Sequence, residues 1–249
     1  MDASSPRSCA RCSGSRCSRP AFAAVFGVAI VEPYDSYVPY DVYIVPGLVG
    51  MVLLFNGMQS SLAMVYDREM GVMRMLLAAP LPRPWLLFAK LTATAVLSLV
   101  QALVFVMVAA LLGTKLAFVV SRLPQVLAAT TATALMLGAL GLLLSVHIRQ
   151  LENFAGTMNF VIFPMYFLST ALYPLWKLEE SGARWVYEIA RVNPFTHAVE
   201  WIRFALYDKD PGIAPWIVLG TAALCLAAAC AGYDPQRGFG ALSRRGGGA

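Results

Sequence analysis

The sequence predicts an all-α polytopic membrane protein with five full spans and a truncated first one. Of 249 residues, 59% are hydrophobic and only 13% charged, where a soluble domain carries about 25% charge. Mean hydropathy is +0.65. Five uncharged or nearly uncharged stretches reach the ~20 residues that a helix needs to cross about 30 Å of hydrocarbon.

The first element is the shortest. "AFAAVFGVAIV", 21–31, covers only about 17 Å as helix and reads as a truncated or tilted span. An arginine-rich stretch precedes it, but "EPY" follows where a signal peptide would show a small-residue cleavage site. Residues 42–66 form the first full span, without a formal charge. Span 85–112 carries Lys90 near one end, placed to snorkel. Span 123–146 is rich in Leu, Ala and Thr, span 154–173 contains Pro164, and span 213–233 closes the set. A membrane helix tolerates such a proline where neighbours satisfy the freed backbone. Residues 21–233 thus read as one transmembrane domain, between a Cys/Ser/Arg leader, 1–20, and a basic tail, 234–249.

Orientation follows the distribution of cations. The connection after the first full span holds Arg68, Arg74 and Arg83, the leader four arginines and the tail three. Placing these in the cytoplasm puts the acidic 32–41 stretch and the long 174–212 segment outside, and the 147–153 link inside. The net charge of +5 is modest and concentrated at the termini, so it reads as membrane-flanking charge rather than a nucleic-acid surface.

Catalytic constellations are missing from the sequence. It has no G-x-x-x-x-G-K-[ST] phosphate cradle, no H-E-x-x-H and no G-x-S-x-G. Cys9, Cys12 and Cys17 lack a fourth ligand nearby, and a closed zinc site wants four. None of the fourteen acidic residues lies inside a span, which argues against a proton- or sodium-coupled carrier. Polar residues within spans are neutral: Asn56, Gln59, Ser60, Gln101 and Asn159. Asn56, Gln59 and Ser60 share one helical face, which either lines a pathway or, more commonly, bonds a neighbouring helix.

Two connections carry more pattern than loops need. In 67–79, Met70, Met73, Leu76 and Leu77 fall on one stripe of a short helix, and Pro80, Pro82 and Pro84 stop it. Such a helix either lies on lipid or docks a partner with its methionines. In the external segment, 183–192 and 196–207 read as two short amphipathic helices broken at Pro194. They either lie in the membrane interface or cap the bundle.

Two blocks extend this reading. "YIVPGLVGMVLLFNGMQSSLAMVYDREMGVMRMLLAAPLPRPWLLFAKLTA" resembles the ABC-2 family of ABC-transporter permeases, where an uncharged span leads into RE-x-G, then LL-x-x-P and K-L. "NFAGTMNFVIFPMYFLSTALYPLW", followed by "VNPFTHAVEWIRFALY", is similar to a second family block, and together the matches run from 32 to about 233.

The resemblance implies a type V exporter-like bundle of six spans. In it 67–79 is a coupling helix seated in a separate ATPase, 147–153 a smaller contact, and 176–207 a pair of re-entrant helices. Arg68, Glu69 and Gly71 match the coupling motif, flanked by Asp67 and Arg74, while Val72 stands where Thr is common. Asn193, Pro194 and Arg203 match the outer motif, with Glu200 between them. The N-terminus departs from the family pattern, and a displaced start would produce such a leader. The implied role is a multi-pass permease half of an exporter in a bacterial inner membrane, surrounded by lipid. It would bind no cofactor or metal, while an ABC ATPase partner hydrolyses ATP and a second permease copy completes a homodimer. The rival reading is a membrane anchor or assembly factor without transport.

Overall fold

The computed structural model describes residues 40–72, 83–111, 122–148, 150–175, 184–207 and 210–232. The chain divides into two compact units, 1–43 and 44–249. Of the first, only 40–43 is described, as the opening turn of a helix. The leader, the 21–31 segment, residues 73–79 and the tail lie outside the described residues.

Among the described residues the elements are seven α-helices: α1 (Tyr40–Glu69), α2 (Arg83–Leu111), α3 (Leu123–His147), α4 (Leu151–Phe167), α5 (Arg184–Val192), α6 (Pro194–Tyr207) and α7 (Ala214–Gly232). Four of them, α1, α2, α3 and α7, are long and apolar enough to cross a membrane. Their limits match the expected spans to within three residues at every end, because hydropathy is a sum along the chain and needs no neighbour to be read.

Two elements differ from expectation. The span expected over 154–173 is a helix of 17 residues ending at Phe167, about 25 Å long, followed by a turn through 168–173. Its continuation loses to competing partners. The Asn193 amide donates to the carbonyls of Met165 and Leu168 at 2.8 and 3.0 Å, and the Ser169 hydroxyl donates to the Tyr166 carbonyl. The second difference lies after the first full span. Residues 67–69 are the last turn of α1 rather than the start of a separate helix. Gly71, at φ +77°, then turns the chain away.

The core is organised around α3, which packs against α2, α6 and α7. Apolar burial does not drive helices together in lipid, so small residues and polar bonds must do it. α3 fits that demand, burying Ala129, Ala132, Ala134, Gly138, Ala139 and Gly141. At its crossing with α1 the backbones nearly touch. A Cβ on Gly57 would lie 2.9 Å from the Leu137 carbonyl carbon, and one on Gly141 would lie 2.9 Å from the Gly57 oxygen. Around this crossing Leu53, Leu54 and Met58 of α1 meet Met136 and Leu137 of α3, Phe154 and Ile162 of α4, and Phe195 and Val199 of α6 in one cluster.

α6 is the outer element that departs most from a lipid-lying helix. Its polar residues Thr196 and Arg203 are buried along with Val199, Ile202 and Leu206, so it packs into the bundle against α3 and α7.

Candidate functional site

α1 and α2 run antiparallel, joined by a ladder of polar pairs. The Asn56 Nδ2 donates to Gln101 Oε1, the hydroxyls of Ser60 and Thr94 meet, and Asp67 is ion-paired with Lys90. Thr94 spends its proton on the Lys90 carbonyl at 2.8 Å, so Ser60 is the donor of the middle rung. Asn56, Ser60 and Gln101 are therefore engaged in helix packing. Gln59 and Asn159 are exposed, and neither bonds another helix among the described residues.

The ladder ends at three consecutive charges. Successive residues of a helix point about 100° apart, and Asp67, Arg68 and Glu69 use that fan to reach three different helices. Asp67 holds Lys90 of α2. Arg68 donates through Nη1 to the Ser145 carbonyl, 3.0 Å away in the last turn of α3. Glu69 accepts the Leu151 N–H at 3.2 Å, the first residue of α4. Each sign suits its target. A helix C-terminus presents unsatisfied carbonyls and favours a cation, and an N-terminus presents free N–H groups and favours an anion.

Consequently the end of α1, the last turn of α3 and the start of α4 lie together at one end of the described helices. α1 closes there with Met70 N–H on the Tyr66 carbonyl at 2.9 Å. A Cβ at Gly71 would meet nothing within 4 Å, so its requirement for glycine is conformational: left-handed backbone costs other residues roughly 1–2 kcal/mol. Beside it Tyr66, Met70 and Val72 are exposed. Arg74 lies outside the described residues.

The outer motif resolves into a clamp on the end of α4. Asn193 sits between α5 and α6; its Oδ1 caps α6 by accepting the Phe195 N–H at 3.0 Å, while its Nδ2 donates to the carbonyls of Met165 in α4 and Leu168 just past its end. Pro194 opens α6, a position where its missing N–H costs nothing. Arg203, 3% exposed, donates to the Thr170 carbonyl at 2.9 Å. Glu200 lies one turn earlier; burial raises its carboxyl above the ordinary range, against the opposing charges of Arg203 and His197. An apolar groove of about 670 Å³ opens beside the clamp, between Leu140, Pro164, Met165 and Leu168 on one side and Ile189 and Val192 on the other.

Replacing Asn193 tests the clamp. Asn193→Ala orphans two carbonyls and a cap, and is expected to destabilise by about 1–3 kcal/mol, read as a lower unfolding temperature in detergent. Asn193→Ser keeps an acceptor for the Phe195 N–H without setting an anion against the two carbonyls, and is expected to lose less. Equal losses would mean that capping plays no part.

Sequence reasoning missed the partners rather than the charges. Lys90 reads as a snorkelling residue, yet an acid closing one span and a cation near the start of the next are a legible pair. Ser145 and Leu151 left no such signal, because their contribution is backbone.

A profile of the family described as ABC-2 type transporter matches residues 18–207. Two relatives bear the provisional name transport permease ycf38. The one from Porphyra purpurea is 29% identical over 196 residues, covering 76% of this chain and 64% of the relative. The one from Cyanophora paradoxa is 32% identical over 198 residues, covering 76% and 63%. The aligned chain thus spans just under two thirds of those relatives' length.

Proposed function

The chain belongs to the ABC-2 type transporter family, and from that premise we propose that it is the permease subunit of an exporter in a bacterial inner membrane. In this reading the energy comes from a separate ABC ATPase, and a second copy of the permease completes the pathway. The observation that carries it is the fan of Asp67, Arg68 and Glu69. A force applied where the chain leaves α1 reaches α2, α3 and α4 through three short bonds. Exposed Tyr66, Met70 and Val72 beside it offer a partner an adaptable apolar surface. Closure of the ATPases would press on this end and tilt the helices around a pathway between the two permeases. Asp67, Arg68, Glu69, Gly71 and Arg74 form the coupling region, and Asn193, Pro194, Glu200 and Arg203 hold the outer hairpin.

The test is purification of the tagged permease in mild detergent from its native membrane. A P-loop ATPase is expected to come with it, and ATP hydrolysis by the pair is expected to depend on the permease. Recovery of the permease with a periplasmic enzyme and no ATPase would favour the anchor reading instead.

A further inference from the structure

The charged fan makes its contacts within its own chain. Asp67 is occupied by Lys90 and the two side chains are only 27% exposed. Arg68 spans 77 residues to reach Ser145, and Glu69 spans 82 to reach Leu151. These two targets flank the α3–α4 link on either side. Arg68 grips the helix that enters it and Glu69 the helix that leaves it.

We infer that Asp67, Arg68, Glu69 and Lys90 are positioning residues that weld the chain's exit from α1 and the α3–α4 link into one rigid body. This rests on the permease reading above and assigns the mode of coupling within it: the four charges act through the permease, and the ATPase meets the apolar surface beside them. The geometry gives the weld its stiffness. Ties on three sides of one helical turn leave that turn no direction in which to bend without breaking one of them. The polar ladder above Asp67 extends the stiffness along the α1–α2 seam through Ser60–Thr94 and Asn56–Gln101. Motion during transport therefore occurs outside this group, not between its members.

A covalent bridge distinguishes a weld from a hinge. In a variant freed of its native cysteines, Glu69→Cys and Leu151→Cys are joined by a short bis-maleimide, with the ATPase bound and the complex in lipid nanodiscs. Permease-dependent ATP hydrolysis is expected to fall in the unbridged variant, which has lost the tie, and to return when the bridge replaces it. If bridging leaves hydrolysis absent while the ATPase remains bound, the two connections must part or Glu69 must touch the ATPase itself. That result overturns the inference and leaves the permease reading standing.

A second measurement needs no ATPase. In the isolated permease, Asp67→Lys and Lys90→Asp are each expected to lower the unfolding temperature, and their combination to recover most of the loss. Failure to recover removes the Asp67–Lys90 tie and overturns the weld. If the unmodified permease brings down no ATPase at all, the permease reading falls first and the weld's coupling role with it.

Discussion

Substituting valine for Gly141 is expected to abolish recovery of a monodisperse permease. The α1–α3 crossing leaves no room for a side chain: an added Cβ already sits 2.9 Å from the Gly57 carbonyl oxygen, and Ser61 stands beside it. Rotamer changes cannot relieve a clash with backbone, so the helices must separate. Overpacking a tight core typically costs 1–3 kcal/mol and occasionally more. The upper end applies where two backbones meet. Separation would also disturb the cluster in which α1 meets α4 and α6. Gly57→Val attacks the same crossing from the other side and should fail alike. Gly156, where an added Cβ meets nothing within 4 Å, supplies the control: Gly156→Ala should leave the elution profile of the detergent-solubilised protein unchanged. A normal profile for Gly141→Val would show that α1 and α3 do not cross as described.

The second large effect distinguishes two kinds of charge reversal. Arg68→Glu with Glu69→Arg conserves net charge but places an anion at the C-terminus of α3 and a cation at the N-terminus of α4. Helix ends cannot be swapped, so both charges face the wrong pole and two charge-assisted hydrogen bonds are lost. Each bond to a charged group contributes about 1.5–3 kcal/mol, and each misplaced charge about 0.3–1 kcal/mol more. Hydrolysis dependent on the permease is expected to disappear, together with a clear drop in unfolding temperature. Exchange of Asp67 with Lys90 should be tolerated, since that pair is side chain to side chain and symmetric under reversal. If both exchanges behave alike, the contacts of Arg68 and Glu69 with helix termini do not govern this end of the bundle.

The contrast shows how far the sequence could be read. The spans at 42–66, 85–112, 123–146 and 213–233 emerged with nearly correct limits because membrane insertion sums hydropathy along a window. The knot "DRE" stood out because charge is rare in this chain. The break between α5 and α6 was legible at Pro194, where geometry is local. The early end of α4 was not: Phe167 is followed by "LSTALY", apolar enough to continue, and an amide 25 to 28 residues away stops it together with the Ser169 hydroxyl. Arg203 lies in a segment that reads as amphipathic and proved to be buried and bonded to the Thr170 carbonyl, since an amphipathic pattern cannot say which medium its polar face meets.

Composition and local pattern by themselves therefore determined that this chain is a helical membrane protein, where its long helices run, and which charged turn separates two of them. The tertiary structure alone decided what that turn holds. Asp67, Arg68 and Glu69 are neighbours in sequence but diverge by about 100° at each step, and which helix stands in each direction depends on how α2, α3 and α4 pack. Two of the three partners are backbone groups exposed only because a helix happens to begin or end there, and no residue type announces a bare helix terminus before its neighbour arrives.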